Sequence, residues 1–315
     1  VNQAQRISIL KYVLIVFGLI LIANSKSFSQ NYFITPVSHF DIETNPAILS
    51  SEKYKNQIII DQQNGFNNGN TFNYSSLKLA SYIDSKFLGV GLSLNSNSVG
   101  NNYAYQTVGL GIGYRNVLFD KAYVRIGAFY KVNFTNSQAG QFYHYNFTEY
   151  GLDNPQKLTD NVNLSFALSS SQEKYYLSVF FLNMLMPWGK DKVNYFPQYF
   201  VINVGDVGSF FRSGEEFKLS YSYMKSMVKY SLIKYQAHYI NTSVNINVSR
   251  RRRFRIGSHC GLIDNKYVNI IPYISMNFGH REKYYIKAAV NIFPKPANYI
   301  APYNPIFQLS LKYQI

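Results

Sequence analysis

The stretch KYYIKAAVNIF, residues 283–293, decides the fold. Read as an extended chain, Tyr284, Ile286, Ala288, Val290 and Ile292 share one face, while Tyr285, Lys287, Ala289, Asn291 and Phe293 share the other. A helix would smear a period of two, and a strand preserves it because successive side chains point to opposite sides. Residues 307–315 repeat the pattern, with Phe307, Leu309, Leu311 and Tyr313 against Gln308, Ser310, Lys312 and Gln314. Upstream, Val108, Leu110, Ile112 and Tyr114 oppose Gly109, Gly111, Gly113 and Arg115, and Val124, Ile126, Ala128 and Tyr130 oppose Arg125, Gly127, Phe129 and Lys131. In each case one face suits hydrocarbon and the other suits a polar lumen.

Followed from end to end, the alternation gives about fourteen strands between residues 54 and 315, most long enough for the 9–11 residues that a tilted strand needs to cross a bilayer. Short turns such as 85–86, 119–120 and 279–280 join them as hairpins. An open sheet edge in lipid would leave unpaired N–H and C=O groups, so the sheet must close. The expected fold is all-β, a transmembrane antiparallel up-and-down β-barrel. With both termini periplasmic, the long interruptions at 136–157, 186–197 and 294–304 fall outside the cell and the short turns inside, the usual asymmetry of such barrels.

Composition agrees. Charged residues are 15% of the 315, below the roughly 25% of soluble domains, as expected if a belt faces lipid. This argues against a soluble surface β-sandwich. The single Cys excludes an internal disulfide, and the five His residues show no ligand spacing, so neither a metal nor another cofactor is expected. The formal charge of +15 is spread through strand-like segments, with one cluster, Arg251 to Arg253 plus Arg255, that reads as a turn. Attraction to outer-membrane lipid headgroups or an acidic partner accounts for it better than nucleic acid, which is not an expected partner.

Residues 1–29 read as a secretory signal: Arg6 and Lys11, an apolar run at 12–23 too short for the roughly 20 residues of a spanning helix, then Ser27-Phe28-Ser29. Residues 30–53, with Pro36 and Pro46, form an N-terminal segment that either hangs in the periplasm or folds back into the lumen. The barrel occupies 54–315, and the expected location is the outer membrane. Gly89, Gly91 and Gly109 to Gly113 match no phosphate-binding fingerprint and read as inward glycines that make room for a bulky chain or a plug.

Catalysis is not expected. No Gly-x-Ser-x-Gly elbow occurs, and His39 near Asp41 is an isolated pair. The aromatics Phe142, Tyr143 and Tyr145 in one long loop, and Trp188 in another, are candidate partner contacts. A small-solute channel is the alternative function; against it, the sequence shows no ring of inward charge.

The opening of the mature chain, Gln30-Asn31-Tyr32-Phe33 through Asn45-Pro46-Ala47-Ile48-Leu49, resembles the N-terminal signature of the PorP/SprF family, outer-membrane proteins of the type IX secretion and gliding machinery of Bacteroidetes. Similar stretches are Asp160-Asn161-Val162, Lys174-Tyr175-Tyr176-Leu177 as far as Asn183 and Pro187, and the final strand Gln308 to Ile315. Ser50-Ser51 stand where members commonly carry Gly, and Ile315 where an aromatic is usual. The resemblance implies a non-enzymatic adaptor. Its signature residues are Asn45, Pro46 and Ala47. Its implied partners are secreted cargo bearing a type IX C-terminal domain, such as large adhesins, together with secretion or gliding subunits.

Overall fold

The computed structural model describes residues 41–51, 56–67, 70–83, 86–99, 103–118, 122–137, 156–170, 176–184, 199–210, 216–226, 236–249, 252–263, 267–278, 283–292 and 306–314. The proposed signal, His39, Phe142, Tyr143, Tyr145 and Trp188 lie outside the described residues.

Fourteen strands follow one another in simple antiparallel order. They are β1 (Gln57–Asn67), β2 (Asn70–Ile83), β3 (Leu88–Val99), β4 (Tyr103–Leu118), β5 (Ala122–Ser137), β6 (Gln156–Ser170) and β7 (Tyr176–Met184), then β8 (Tyr199–Phe210), β9 (Glu216–Ser226), β10 (Gln236–Ser249), β11 (Arg252–Ile263), β12 (Tyr267–Phe278), β13 (Tyr284–Asn291) and β14 (Ile306–Gln314). Each pairs with its sequence neighbours, and β1 pairs with β14 to close the barrel, with Asp61 opposite Ser310. Closure satisfies the backbone of every strand within the sheet, the condition for lying in hydrocarbon. The strand ends flanking the long connections 138–155, 185–198, 227–235 and 292–305 lie opposite Gln57 and Gln314, whereas those flanking 84–87, 119–121, 171–175 and 250–251 lie at the end that carries Gln57 and Gln314.

The two faces of the wall are those the alternation predicts. Leu110, Ile112, Ile126, Ile240 and Ile256 point outward and are at least half exposed, and Phe307, Leu309 and Leu311 also point outward and are exposed on β14. Contiguous apolar surface on this scale is not tolerated in water, and it forms the lipid-facing belt of a multi-pass outer-membrane barrel. Phe278, Tyr284 and Tyr313 stack along the outer face near the end with the short turns, at centroid spacings of 5.3 and 5.0 Å, as an aromatic girdle would. The inward positions between these residues are small, polar or basic. Arg255 is one of them: it lies within β11 and faces the lumen, so the basic cluster at 251–255 is only partly a turn.

Candidate functional site: a plugged, basic lumen

Residues 41–51 lie inside the barrel, against the inner faces of β2 to β6. Of the two places open to this segment, its described part occupies the lumen. Pro46–Ser50 form a 3-10 turn with proline in its first positions, where the fixed φ suits a helical start and the missing N–H costs nothing. The Asn45 N–H donates to the Asp41 carbonyl at 2.8 Å and the Ser51 N–H to the Ile48 carbonyl at 2.9 Å, so the segment carries its own folded core. Ile42, Asn45, Ala47 and Leu49 are fully buried.

Glycines in the wall make the seat. A Cβ on Gly89 would collide with the Leu49 carbonyl, and one on Gly127 with the backbone of Pro46 and Ala47. At Gly113 it would come within 2.6 Å of the Pro46 oxygen, and at Gly91 within 2.8 Å of the Leu49 side chain. Without side chains at these points, backbone packs on backbone, and Leu49 and Ile42 close against Phe129. The inward glycines read from the sequence therefore accommodate a plug from the chain itself.

Polar clamps fix the segment to three strands. Lys78 on β2 donates to Asp41 Oδ1 at 2.8 Å and lies 3.7 Å from Asp61 on β1. Asn95 Nδ2 on β3 donates to Glu43 Oε1 at 2.7 Å, and Asn163 Nδ2 on β6 to the Glu43 carbonyl at 2.7 Å. The Ala47 N–H donates to Ser165 Oγ at 2.7 Å. Asn163 also accepts from the Asn183 N–H, and Asn183 accepts from Lys131, so the clamp continues into β7 and β5. Burial by itself would raise the Asp41 carboxyl, but the adjacent Lys78 ammonium and the hydrogen bonds from Lys78, Glu43 and Thr44 hold it below its ordinary value of 3.8.

Among the described residues, the rest of the inward charge is basic. Arg115 and Arg125 face each other across β4 and β5, and both guanidiniums lie over the Tyr123 ring, at 4.5 and 5.1 Å. Arg125 also donates to Ser169. Farther round, Arg255, Lys287 and Lys312 occupy inward positions of β11, β13 and β14. Against these and against Lys78 and Lys131 stand the carboxylates of Asp61, Asp41 and Glu43, among the described residues. The sequence suggested no clear ring of inward charge, and the structure places inward cations on β2, β4, β5, β11, β13 and β14 among the described residues. Those of β13 and β14 come round to Lys78 on β2 only when the sheet closes through β1.

Asn45, Pro46 and Ala47, the residues that carry the family resemblance, are the rigid centre of the plug. Lys78, Asn95, Asn163 and Ser165 hold it, and no sequence signal pointed to them. Asp41 is engaged by Lys78. Among the described residues, no group of three or more His, Cys, Asp or Glu is placed to hold a metal ion.

No family model matches the chain, and no curated protein matches it. Solved structures do. The CymD monoaromatic hydrocarbon channel is similar at TM-score 0.54 and 10% identity, over 90% of this chain and 95% of that one. CdiB from Acinetobacter baumannii is similar at TM-score 0.44 and 8% identity over 82% of this chain, which spans 59% of CdiB. The Acinetobacter baumannii outer membrane protein Omp33 is similar at TM-score 0.43 and 8% identity, over 83% of this chain and 99% of that protein. At such identities the likeness is one of fold.

Proposed function

We propose that this barrel is an outer-membrane channel for small solutes with a preference for anions. The observation that carries the reading is the excess of lysine and arginine on the inward face. Rings of basic side chains select anions, because a cation entering a low-dielectric tube meets like charge at every step. The plug neutralises Lys78 through Asp41 and fills the side lined by β2 to β6. The proposed path runs along the other side, past Arg255, Lys287 and Lys312. The fold likeness to a channel of known structure agrees with this reading without specifying the solute. The test is conductance of the purified full chain in planar bilayers. A steady conductance whose reversal potential in a KCl gradient follows chloride is expected; a silent bilayer or a potassium-selective one would overturn the reading.

A second reading rests on the resemblance to the PorP/SprF family. In it, the barrel is an adaptor for secretion or surface attachment of type IX cargo and docks secretion or gliding subunits. Its support is that Asn45-Pro46-Ala47 is no loose tail but a buried part of the luminal segment. Affinity isolation of the detergent-solubilised protein from native membranes tests it. Co-purification of large secreted cargo or secretion subunits is expected, and a bare barrel would exclude the adaptor role.

A further inference from the structure

We propose that the side of the lumen away from residues 41–51 holds a binding station for a small aromatic carboxylate, centred on Lys287, Tyr273 and His259. The inference deepens the channel reading and rests on it for solute access to the lumen. Tyr273 points inward from β12 and is 7% exposed. Its hydroxyl reaches across β11 and donates to Asn241 Oδ1 on β10 at 3.2 Å. The ring can lie flat over β11 because residue 257 is glycine: a Cβ there would stand 2.5 Å from the Tyr273 hydroxyl. Its flanks carry the chemistry. His259 on β11 stacks with the ring at 5.0 Å between centroids and 30° between planes. Lys287 on β13 holds its ammonium 4.8 Å from the ring centroid.

The charges acting on Lys287 are those of Asp61 and Arg255. Asp61 is shared, since it also lies 3.7 Å from Lys78. Two cations thus converge on one stretch of wall, beside two aromatic rings. A carboxylate gains a charge-assisted hydrogen bond from Lys287, and a planar body gains ring contact with His259 and Tyr273. A second observation also points to a ligand. Asn269 lies on the inward face of β12, opposite Gly261, which is the inward position next after His259 along β11. Asn269 is 0% exposed, and among the described residues neither its amide nitrogen nor its amide oxygen has a hydrogen-bond partner. A buried amide left without partners costs free energy unless something binds it, and here it offers both a donor and an acceptor beside the imidazole.

The test is calorimetric titration of the detergent-solubilised full chain with benzoate, and with benzylammonium as the charge-reversed probe. Benzoate is expected to bind and benzylammonium not to. Lys287→Met weakens benzoate by at least about tenfold, the loss expected for one charge-assisted hydrogen bond. Lys287→Arg retains the affinity, which separates loss of charge from loss of fold. Lys225→Gln, on the outer face of β9, leaves it unchanged. Benzylammonium binding as well as benzoate, or Lys287→Met binding benzoate like the parent chain, overturns the proposal. Binding in detergent needs no flux: a chain that binds benzoate through Lys287 yet never conducts retains the station and loses the channel, and a chain that conducts while benzoate ignores Lys287 does the reverse.

Discussion

Two stretches of the same wall use glycine for different ends. On β3 to β5, Gly89, Gly91, Gly113 and Gly127 lie under the backbone and leucine of residues 46–50, so the empty positions seat a segment from outside the sheet. On β11, Gly257 and Gly261 lie under the rings of Tyr273 and Tyr239, which belong to the flanking strands β12 and β10. In the first stretch the missing side chains let main chain approach main chain, and that side of the barrel is closed by its own chain. In the second they form a flat bed on which tyrosines lie, with the Lys287 ammonium beside one of them. Omitting a side chain gives a barrel wall either a socket or a platform, and what fills the space decides which.

The comparison can be broken most forcefully at Leu49. Its side chain is fully buried among the glycines of β3 and β4, and Leu49→Ala should cost about 2–5 kcal/mol of plug seating, the range for a buried leucine truncated in place. Limited proteolysis of the folded barrel is the readout: cleavage within 41–51 should appear in the variant and not in the parent. If the variant resists the protease as the parent does, the leucine is not what seats the segment.

One substitution made on both sides sharpens it further. Gly127→Ala forces a methyl group against the Pro46–Ala47 backbone, which cannot yield without leaving its seat, and should cost about 3 kcal/mol, the upper end for overpacking. Gly261→Ala meets the edge of the Tyr239 ring, which can turn aside, and should cost about 1 kcal/mol. Denaturant midpoints read the two losses, and only the first variant should expose 41–51 to protease. Equal behaviour would show that socket and platform are the same device.

The smallest effect is that of pH. The Asp41 carboxyl is held below 3.8, so it favours the seated plug at all pH values above its unfolded pKa, and that contribution is lost as pH falls through the depressed folded value. Protease resistance of 41–51 should be flat from pH 5 to 8 and weaken only in stronger acid, below about pH 4. Release of the segment between pH 5 and 7 would show that a group other than Asp41 governs the seat.

Much of this was legible in the sequence because strand alternation is local. The outward row Val108, Leu110, Ile112, Tyr114 and the inward row of glycines between them follow from a period of two. So does the strand count, since every turn in a simple meander interrupts that period. What the sequence hid is long-range. Asp41 meets Lys78, Glu43 meets Asn95 and Asn163, and Ala47 meets Ser165, contacts between residues 37 to 120 positions apart, which exist only once β2, β3 and β6 surround the plug. The basic lumen was hidden for the same reason. Arg115 and Arg125, like Arg255 and Lys287, are apart in the sequence and are brought near each other by register. The family resemblance drew attention to Asn45-Pro46-Ala47 without indicating that these residues sit inside the tube.

The central claim, that residues 41–51 stay seated on one side while anions pass along the other, is tested most directly by locking the plug. Ala47→Cys with Ser165→Cys joins positions already linked by a 2.7 Å hydrogen bond, in a chain whose one native thiol, the exposed Cys260, is replaced by serine. The account predicts that the disulfide forms in the assembled barrel and that the oxidised protein keeps its anion-selective conductance in planar bilayers. Failure of the bond to form, or a conductance that vanishes on oxidation and returns on reduction, would contradict it.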